Sequence, residues 1–147
     1  MTPRVTFIPY VPAHLAALAP HVDASLTPLL DEPGYAKTLA VPGLSWTALA
    51  GDTPVGAGGV LPIWPGRALA WALVGTLPKT AWTAVTRQAL AVLQHAHAQG
   101  HGRIEAHVDA AFANGVRWAR LLGFAPEGLM RRFTADGRDH LLYARFG

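Results

Sequence analysis

The chain has 147 residues, with 12 lysines and arginines, 9 acidic residues and a formal net charge of +3. This length predicts one domain over residues 1–147 that can bury a core, and the absence of cysteine excludes disulfides and thiolate metal sites. The mild charge, with neither a basic tract nor a long apolar run, argues against nucleic-acid and membrane partners and for a cytoplasmic protein.

The N-terminal half predicts a strand, short helices and a hairpin. Residues 4–9 alternate as a strand does, and a short helix over 13–19 follows. Prolines and a glycine break residues 21–40 into one or two further short helices. Residues 45–50 and 55–64 predict an antiparallel hairpin. The glycine-rich start of its second strand predicts a bulge or a close backbone neighbour, because no helix follows that would make it a phosphate loop.

The central part of the chain predicts a strand, a helix and a second strand. In Arg67–Gly75, bulky side chains alternate with alanines. Thr80–Gln99 carries apolar residues three or four apart, with Thr80 as the expected N-cap and Gly100 as the stop. Arg103–Asp109 alternates again. A crossover helix joins these two strands, so they should be parallel.

The C-terminal part predicts a turn, a helix and a hairpin. Asn114 and Gly115 fit a turn, residues 116–122 a helix, and residues 127–134 and 138–146 the last two strands. The predicted fold class is therefore α+β, a mixed and mostly antiparallel sheet of about seven strands with one parallel pair, flanked by helices.

Three short motifs follow one another near the C-terminus: Leu122-Gly123-Phe124, Glu127-Gly128 and Leu142-Tyr143-Ala144. Their order and spacing, with the predicted elements, resemble the last helix, the corner and the last two strands of the GNAT superfamily of acyl-CoA-dependent N-acyltransferases. Two more motifs look like a divergent branch found among tailed bacteriophages: Ala70-Trp71-Ala72-Leu73 and Arg117-Trp118-Ala119.

The resemblance implies a GNAT-like sheet in which Arg67–Gly75 splays from Arg103–Asp109 and the pantetheine of acetyl-CoA lies in the gap. The alanine face of the first strand leaves room for pantetheine to lie close to the backbone, although small side chains can also simply allow a helix to pack closely. The pyrophosphate would lie on the N-terminus of the following helix, where unpaired amides and the helix dipole favour an anion. The residues implied in cofactor binding are Trp71, Ala72, Leu73, Val74, Lys79, Thr80, Ala81, Trp82, Thr83 and Ala84.

The sequence departs from the family's phosphate signature at one position. The signature is Arg or Gln, two residues, Gly, one residue, then Gly or Ala, and it aligns with residues 79–84. Lys79 keeps the cation and Ala84 the last small residue, but Trp82 replaces the central glycine. Because a glycine lets phosphate touch the backbone, the indole must turn aside, and we expect it to point toward the core.

Acyl transfer to an amine needs a base, a backbone amide for the thioester oxygen and a proton donor for the leaving thiolate. Ala119 occupies the position at which many family members carry a tyrosine donor, and Phe112 the position of a frequent asparagine. Glu105 and His107 share a face of their predicted strand. They are candidate catalytic bases if that face lines the cleft, and ordinary polar residues if it does not.

The resemblance implies transfer of an acetyl group from acetyl-CoA, the expected cosubstrate, to an amine of a small molecule or protein. The alternative is a catalytically degenerate GNAT-like phage protein with a structural or partner-binding role. Besides the amine acceptor, a homodimer is left open as a partner. No metal site is predicted, because His95, His97 and His101 are poorly spaced for ligands across a helix end.

Overall fold

The computed structural model describes residues 4–18 and 34–147. The elements of these ranges are β1 Val5–Pro9, α1 Pro12–Leu18, α2 Tyr35–Thr38, β2 Ser45–Ala50, β3 Thr53–Trp64, β4 Arg67–Val74, α3 Lys79–Ala98, β5 Arg103–Asp109, α4 Ala113–Leu121, β6 Ala125–Met130 and β7 His140–Phe146. The short helices predicted before residue 34 lie outside the described residues. None of the helices in the described ranges combines the length and hydropathy that crossing a bilayer requires.

The strands form one seven-stranded sheet in the order β1-β2-β3-β4-β5-β7-β6. Only β4 and β5 are parallel, because α3 carries the chain back across the sheet between them. The other neighbours are antiparallel. The predicted fold class, a mixed sheet with one parallel pair and flanking helices, is confirmed.

The parallel pair is joined over only part of its length. Arg67–Ala70 of β4 pairs with Arg103–Ala106 of β5, and the ladder stops there although both strands continue. Each strand stays paired with its outer neighbour, β3 or β7, to its end. We call the paired segments the closed half, residues 71–74 and 107–109 the open half, and the opening between them the slot.

The core lies on both faces of the sheet. On one face α3 and α4 cover a cluster that includes Val85 and Ile104. On the other face α1 and α2 cover a smaller cluster that includes Leu15 and Leu73. Because side chains alternate along a strand, β4 and β5 each present one set of side chains to the α3–α4 side and the other set to the α1–α2 side.

The glycines of β3 permit close packing, as predicted. A Cβ on Gly58 would lie 2.6 Å from the Trp46 ring, and one on Gly59 would lie 2.5 Å from the carbonyl oxygen of Leu44. Neither position leaves room for a side chain. The glycine run is therefore a structural feature of the sheet, beside a shift in the β2–β3 register.

Two predicted helix starts are wrong. α3 begins at Lys79 with Pro78 as its N-cap, so Thr80 lies in the first turn. α4 begins at Ala113, so Asn114 and Gly115 lie in the helix and not in a turn. Gly115 fits there by packing, because a Cβ would lie 2.7 Å from the Phe112 ring.

The boundaries of the last hairpin also differ from the prediction. β6 runs from Ala125 to Met130, earlier than the predicted 127–134, and β7 begins at His140. Residues 131–139 form a longer connection, in which Arg132 has a positive φ of 50°. The Asp139 side chain accepts a hydrogen bond from the amide of Arg132 at 2.9 Å, which favours this turn over a longer strand.

Candidate functional site

The open half exposes backbone in the middle of the sheet. Ala72 is exposed although β4 is a central strand, because β5 no longer lies beside it. Leu73 is buried on the α1–α2 side, and Val74 packs against the core on the α3–α4 side. Within the described residues, backbone groups that face the slot have no strand partner there, and such an edge can pair with an extended ligand.

The start of α3 has no side-chain cap. Its N-cap is Pro78, which is extended at φ −66° and ψ 159° and offers no capping hydrogen bond. The first helical bond runs from the amide of Trp82 to the carbonyl of Pro78, at 3.1 Å. The amides of residues 79–81 therefore lack an intrahelical acceptor, and together with the helix dipole they favour an anion.

A cleft of about 570 Å³ lies between the N-terminal part of α3 and the length of α4. We call it the α3–α4 cleft. It is lined by Trp82, Thr83, Thr86, Arg87, Asn114, Arg117, Trp118 and Leu121. Both arginines are exposed, and Arg117 donates a hydrogen bond to the Asn114 side chain. The cleft therefore offers cations beside two tryptophan rings.

The aromatic side of the α3–α4 cleft is a tryptophan pair. The rings of Trp82 and Trp118 lie edge to face, with centroids 5.3 Å apart. Trp118 is fixed by a hydrogen bond of 3.0 Å from its Nε1 to Oγ1 of Thr86. Trp82 also packs against the central core, in agreement with its predicted inward orientation. Its indole thus lies against α4 and forms one side of the cleft.

The predicted cofactor-binding residues fall into separate places. Trp82 and Thr83 line the α3–α4 cleft, whereas Ala81 is turned into the core. Lys79 and Thr80 are exposed in the first turn, and Ala84 is half-buried in the second. The β4 candidates, residues 71–74, lie along the slot. A second hollow of about 330 Å³ lies beyond them, bordered by Gly75 and Thr76 and by the start of β3.

Glu105 is an ion-paired structural carboxylate. Its side chain is 6% exposed and accepts two hydrogen bonds from Arg67, at 2.6 and 3.0 Å, and one from Arg103 at 2.9 Å. The hydrogen bonds from Arg67 lower the pKa of Glu105 to about 2, against the opposing effect of burial. A carboxylate this acidic does not take a proton from an amine, which is a physical argument against the predicted role of Glu105 as a base.

The ion pairs continue across the closed half. Arg103 also binds Glu127 on β6, with Nη1 at 3.2 Å from Oε2. The guanidinium of Arg67 lies 4.4 Å from the centre of the Trp64 ring. These contacts fasten β4 to β5, and β5 to β6, at the end where the parallel ladder exists. The sequence analysis missed Arg67, Arg103 and Glu127 as partners.

His107 lies at the start of the open half, one residue after the last β4–β5 pair. It is half-buried, and its ring lies edge to face with Phe133 at 5.0 Å. Phe133 lies 5.1 Å from His140, the residue opposite Asp109 on β7. Burial lowers the pKa of His107, opposed by Glu105 and assisted by His140. The imidazole is therefore neutral near pH 7 and able to accept a proton.

Trp71 occupies the matching position on β4. It follows Ala70, the partner of Ala106, and therefore lies on the same sheet face as His107, across the slot. Its ring lies edge to face with Tyr10 at 5.3 Å. Its Nε1 is buried and has no hydrogen-bond partner, which is uncommon for a buried indole N–H.

The family's usual proton donor and asparagine have no counterparts at the aligned positions. Ala119 is buried in the core on α4, with 5% of its surface exposed. Phe112 is exposed and serves as the N-cap residue of α4. Neither position therefore carries the polar side chain that the resemblance implies.

The histidines at the end of α3 do not converge. His97 Nδ1 lies 2.7 Å from the carbonyl oxygen of His101, and His95 Nε2 lies 3.0 Å from Nε2 of Gln99. Residues 4–18 and 34–147 contain no group of three or more histidine or acidic side chains that could hold a metal ion.

Comparison with known proteins finds likeness in structure. No protein-family model matches the sequence. No curated protein matches it at the significance required. Among solved structures, Naa50 from Arabidopsis thaliana, in complex with a bisubstrate analogue, superposes with a TM-score of 0.77 at 16% identity over 97% of this chain and 99% of that one.

Two bacterial structures are also similar over nearly the whole chain, with lower TM-scores. The ribosomal-protein-S18-alanine N-acetyltransferase from Escherichia coli gives a TM-score of 0.68 at 18% identity, over 97% of this chain and 94% of that one. A GNAT-family acetyltransferase from Bacillus anthracis gives 0.69 at 12% identity, over 99% and 96%. The predicted bacteriophage-like branch gains no support from these comparisons. The chain has the fold of GNAT acetyltransferases over nearly its whole length.

Proposed function

We propose that this protein is an N-acetyltransferase that uses acetyl-CoA as cosubstrate. The observation that carries the proposal is the slot: two neighbouring central strands part after Ala70 and Ala106 and leave unpaired backbone beside an uncapped helix start. A slot of this kind suits a thin, extended arm with an anionic end.

Three features of the chain fit acetyl-CoA. Residues 72–74 offer strand backbone to the pantetheine arm, and the exposed Ala72 leaves room beside it. The free amides of residues 79–81 and the nearby α3–α4 cleft suit phosphate groups. The exposed guanidiniums of Arg87 and Arg117 in that cleft add two positive charges.

One feature of the family's pattern is replaced. Trp82 stands where a glycine would let phosphate touch the backbone, but its indole packs edge to face against Trp118 on α4. The fit therefore depends on the backbone of the first turn and on the arginines, and less on a glycine loop.

Acetyl-CoA supplies an acyl group activated as a thioester. We assign to His107 the role of accepting the proton of the attacking amine, directly or through water, because it is neutral and lies at the mouth of the slot. The closed half, through Arg67, Glu105 and Arg103, fixes β4 and β5 so that this geometry is held before the ligand arrives.

The proposed acceptor is an amine of a small molecule or of a protein. The Naa50 structure holds the bisubstrate analogue CoA-Ac-MVNAL, so an acetyl-CoA moiety joined to a peptide occupies that fold. The ligand of that neighbour supports the use of acetyl-CoA by a chain of the same fold.

Calorimetry and thermal melting with acetyl-CoA test the proposal. Saturating acetyl-CoA should release or absorb heat and raise the melting temperature, since a ligand that binds only the folded state stabilises it. The double variant Arg87→Ala/Arg117→Ala should bind acetyl-CoA at least about tenfold more weakly. Arg120→Ala, an exposed arginine of α4 outside the cleft, is the matched control and should bind as the wild type does.

The second candidate is a non-catalytic protein of the same fold, which the buried Ala119 favours because it removes the usual proton donor. Such a protein would bind a partner but would not release CoA thiol from acetyl-CoA in the presence of any amine. Release of CoA thiol that depends on both an amine and His107 would exclude it.

A further inference from the structure

The acceptor side of the slot is a group of aromatic rings on the α1–α2 face of the sheet. Tyr10 and Trp71 form its β4 side, with rings 5.3 Å apart. His107, Phe133 and His140 form its β5–β7 side, with Phe133 about equally distant from both imidazoles, at 5.0 and 5.1 Å. We call these five residues the aromatic wall. Phe133 is 45% exposed, so the wall is open to solvent on this side.

Several polar atoms of the aromatic wall are buried without partners. Trp71 Nε1 and both ring nitrogens of His140 have no hydrogen-bond partner among the residues that the structure describes. Native structures pair more than nine in ten buried polar groups, so these atoms are unusual and invite a ligand. Trp71 can donate only, whereas the imidazole of His140 can donate at one nitrogen and accept at the other.

The carboxylates around the wall are already engaged. Glu105 is bound by Arg67 and Arg103, Glu127 by Arg103, and Asp109 by Arg138. Asp136 is likewise bound by Arg138. Asp139 accepts a hydrogen bond from the backbone amide of Arg132 at 2.9 Å. The five residues of the wall therefore offer aromatic faces and neutral imidazoles, and none of them is a carboxylate.

The base at the wall is also matched to a weakly basic amine. Burial lowers the pKa of His107 and, separately, that of His140. Their surroundings include Glu105, Arg67, Asp109, Arg138 and Asp136, whose charges act on one or both rings in opposing directions. A lysine-type ammonium has a pKa about four units above that of an ordinary histidine, so a neutral imidazole deprotonates it poorly.

We propose that the acceptor is an arylamine, a flat aromatic ring that carries its nitrogen directly and is uncharged near neutral pH, bound between Phe133 and Trp71 with His107 at its nitrogen. This proposal rests on the proposed acetyl transfer and names its substrate class. Ring contacts with the wall give the affinity, and because none of the five wall residues is a carboxylate, the wall offers no counter-charge to a charged alkylamine.

The reaction balances without any further reagent. The arylamine nitrogen attacks the thioester carbonyl carbon and forms the N–C bond. His107 takes one N–H proton, the C–S bond breaks, and the thiolate takes up a proton from His107 or water. The products are the acetanilide and CoA with a free thiol.

A pair of amines on the same ring tests the substrate class. 4-Methoxyaniline and 4-methoxybenzylamine differ by one methylene, and only the second is a strong base. At pH 7.5 and saturating acetyl-CoA, we expect the initial rate of CoA release with the aniline to exceed that with the benzylamine at least tenfold. An equal or higher rate with the benzylamine, or transfer to neither amine while acetyl-CoA still binds, would overturn the assignment.

A variant pair tests the site. Phe133→Ala should raise the KM for 4-methoxyaniline at least fivefold and leave the KM for acetyl-CoA unchanged. Leu129→Ala removes a comparably exposed side chain from the same hairpin, but Leu129 pairs with Leu141, which packs on the opposite face, so this control should change neither constant. Equal effects of the two substitutions would contradict the location.

Direct binding separates this inference from the proposed function. Titration of 4-methoxyaniline into the protein without acetyl-CoA, followed by NMR of the indole N–H of Trp71, should shift that resonance in the wild type and not in Phe133→Ala. If acetyl-CoA does not bind but this shift occurs, the acetyltransferase proposal fails and the arylamine site stands. If acetyl-CoA binds and no shift occurs, the arylamine site fails alone.

Discussion

The closed and open halves of β4 and β5 belong to the same two strands and differ in what lies between them. In the closed half, a four-residue ladder from Arg67 with Arg103 to Ala70 with Ala106 is reinforced by the buried carboxylate of Glu105. In the open half, the next residues on this face are Trp71 and His107, which are aromatic and carry no opposite charges.

The difference teaches where a sheet can open without losing its integrity. Each strand remains hydrogen-bonded to its outer neighbour, so the opening leaves only the inner edges unpaired. The ion pairs of Glu105 hold the strands together immediately before that point. The slot in the middle of the sheet thus depends on strand pairing and ion pairs in the closed half as much as on the missing strand pairing in the open half.

Removing the base from the open half should give the largest effect. We expect His107→Gln to lower kcat about 10²–10⁴-fold, the usual contribution of general base catalysis. In the wild type the base is the neutral form, and its pKa is lowered from 6.5. The rate should therefore fall only as the pH drops through a value below 6.5, and this acid limb should be absent from the variant.

The control is His95→Gln, an exposed histidine on α3 far along the helix from the slot, which should leave the rate and its pH profile unchanged. Steady-state kinetics from pH 5 to 8.5 make the comparison. A His107→Gln enzyme within threefold of wild-type kcat would show that another group takes the proton.

The second-largest expected effect is weaker acetyl-CoA binding when a large side chain fills the slot. Ala72→Trp places an indole beside the unpaired backbone, and we expect an increase in Kd of about 100-fold, or about 2.7 kcal/mol, measured by calorimetry. Ala125→Trp on the edge strand β6 changes an equally exposed strand alanine away from the slot and should bind normally. The slot is not the binding site if both variants bind alike.

Weakening the closed half should cost stability. Glu105→Gln removes the charge that three hydrogen bonds from arginines stabilise, and we expect a loss of about 1.5–3 kcal/mol in the free energy of unfolding. Denaturant melts at pH 7 measure it. The exposed Glu127→Gln should have a much smaller effect, because its ion pair is solvated.

The same carboxylate predicts an acid-dependent loss of stability. The pKa of Glu105 is about 2 in the folded protein against an ordinary value of 4.5, so its contribution is complete above pH 4.5 and is lost as the pH falls toward 2. Denaturant melts between pH 5 and 3 should show this slope in the wild type and a reduced slope in Glu105→Gln. Parallel slopes would mean that Glu105 is not preferentially ionised in the folded state.

The smallest expected effect concerns the support of the aromatic wall. Tyr10 donates a hydrogen bond of 2.8 Å to the carbonyl of Ala36, and Tyr10→Phe should lower the free energy of unfolding by about 0.5–1.5 kcal/mol. Thermal melts measure the loss. Because Tyr10 lies on the acceptor side, the affinity for acetyl-CoA should not change, and a change would mean that the two sides of the slot are coupled.

The order of elements and the parallel pair could be predicted from the sequence because they rest on local periodicity and on one chirality rule. Arg103–Asp109 alternates clearly, turn residues follow Ser45–Ala50, and both strands have the predicted bounds. The starts of α3 and α4 could not be predicted. Thr80 is a residue type common at N-caps but lies in the first turn after Pro78, and the turn signal of Asn114 and Gly115 lies inside a helix, where packing overrides it.

The site was harder to predict because it depends on contacts between distant residues. From the sequence alone, Glu105 is a candidate base. Only the pairing of β4 with β5 brings Arg67, 38 positions earlier in the chain, into contact with it. The α3–α4 cleft likewise needs two helices to meet. Arg87 follows Thr83 by one helical turn, which is a usable signal, but Arg117 and Trp118 join them only through tertiary packing.

Residue-resolved amide hydrogen exchange with and without CoA tests the central claim most directly. We expect the slot-facing amides of residues 71–74 to exchange rapidly in the free protein and to become protected when CoA is bound, while those of residues 67–70 are protected in both states. Unchanged exchange of residues 71–74 on addition of saturating CoA, or protection equal to that of the closed half before CoA is added, would contradict a slot that receives the cosubstrate.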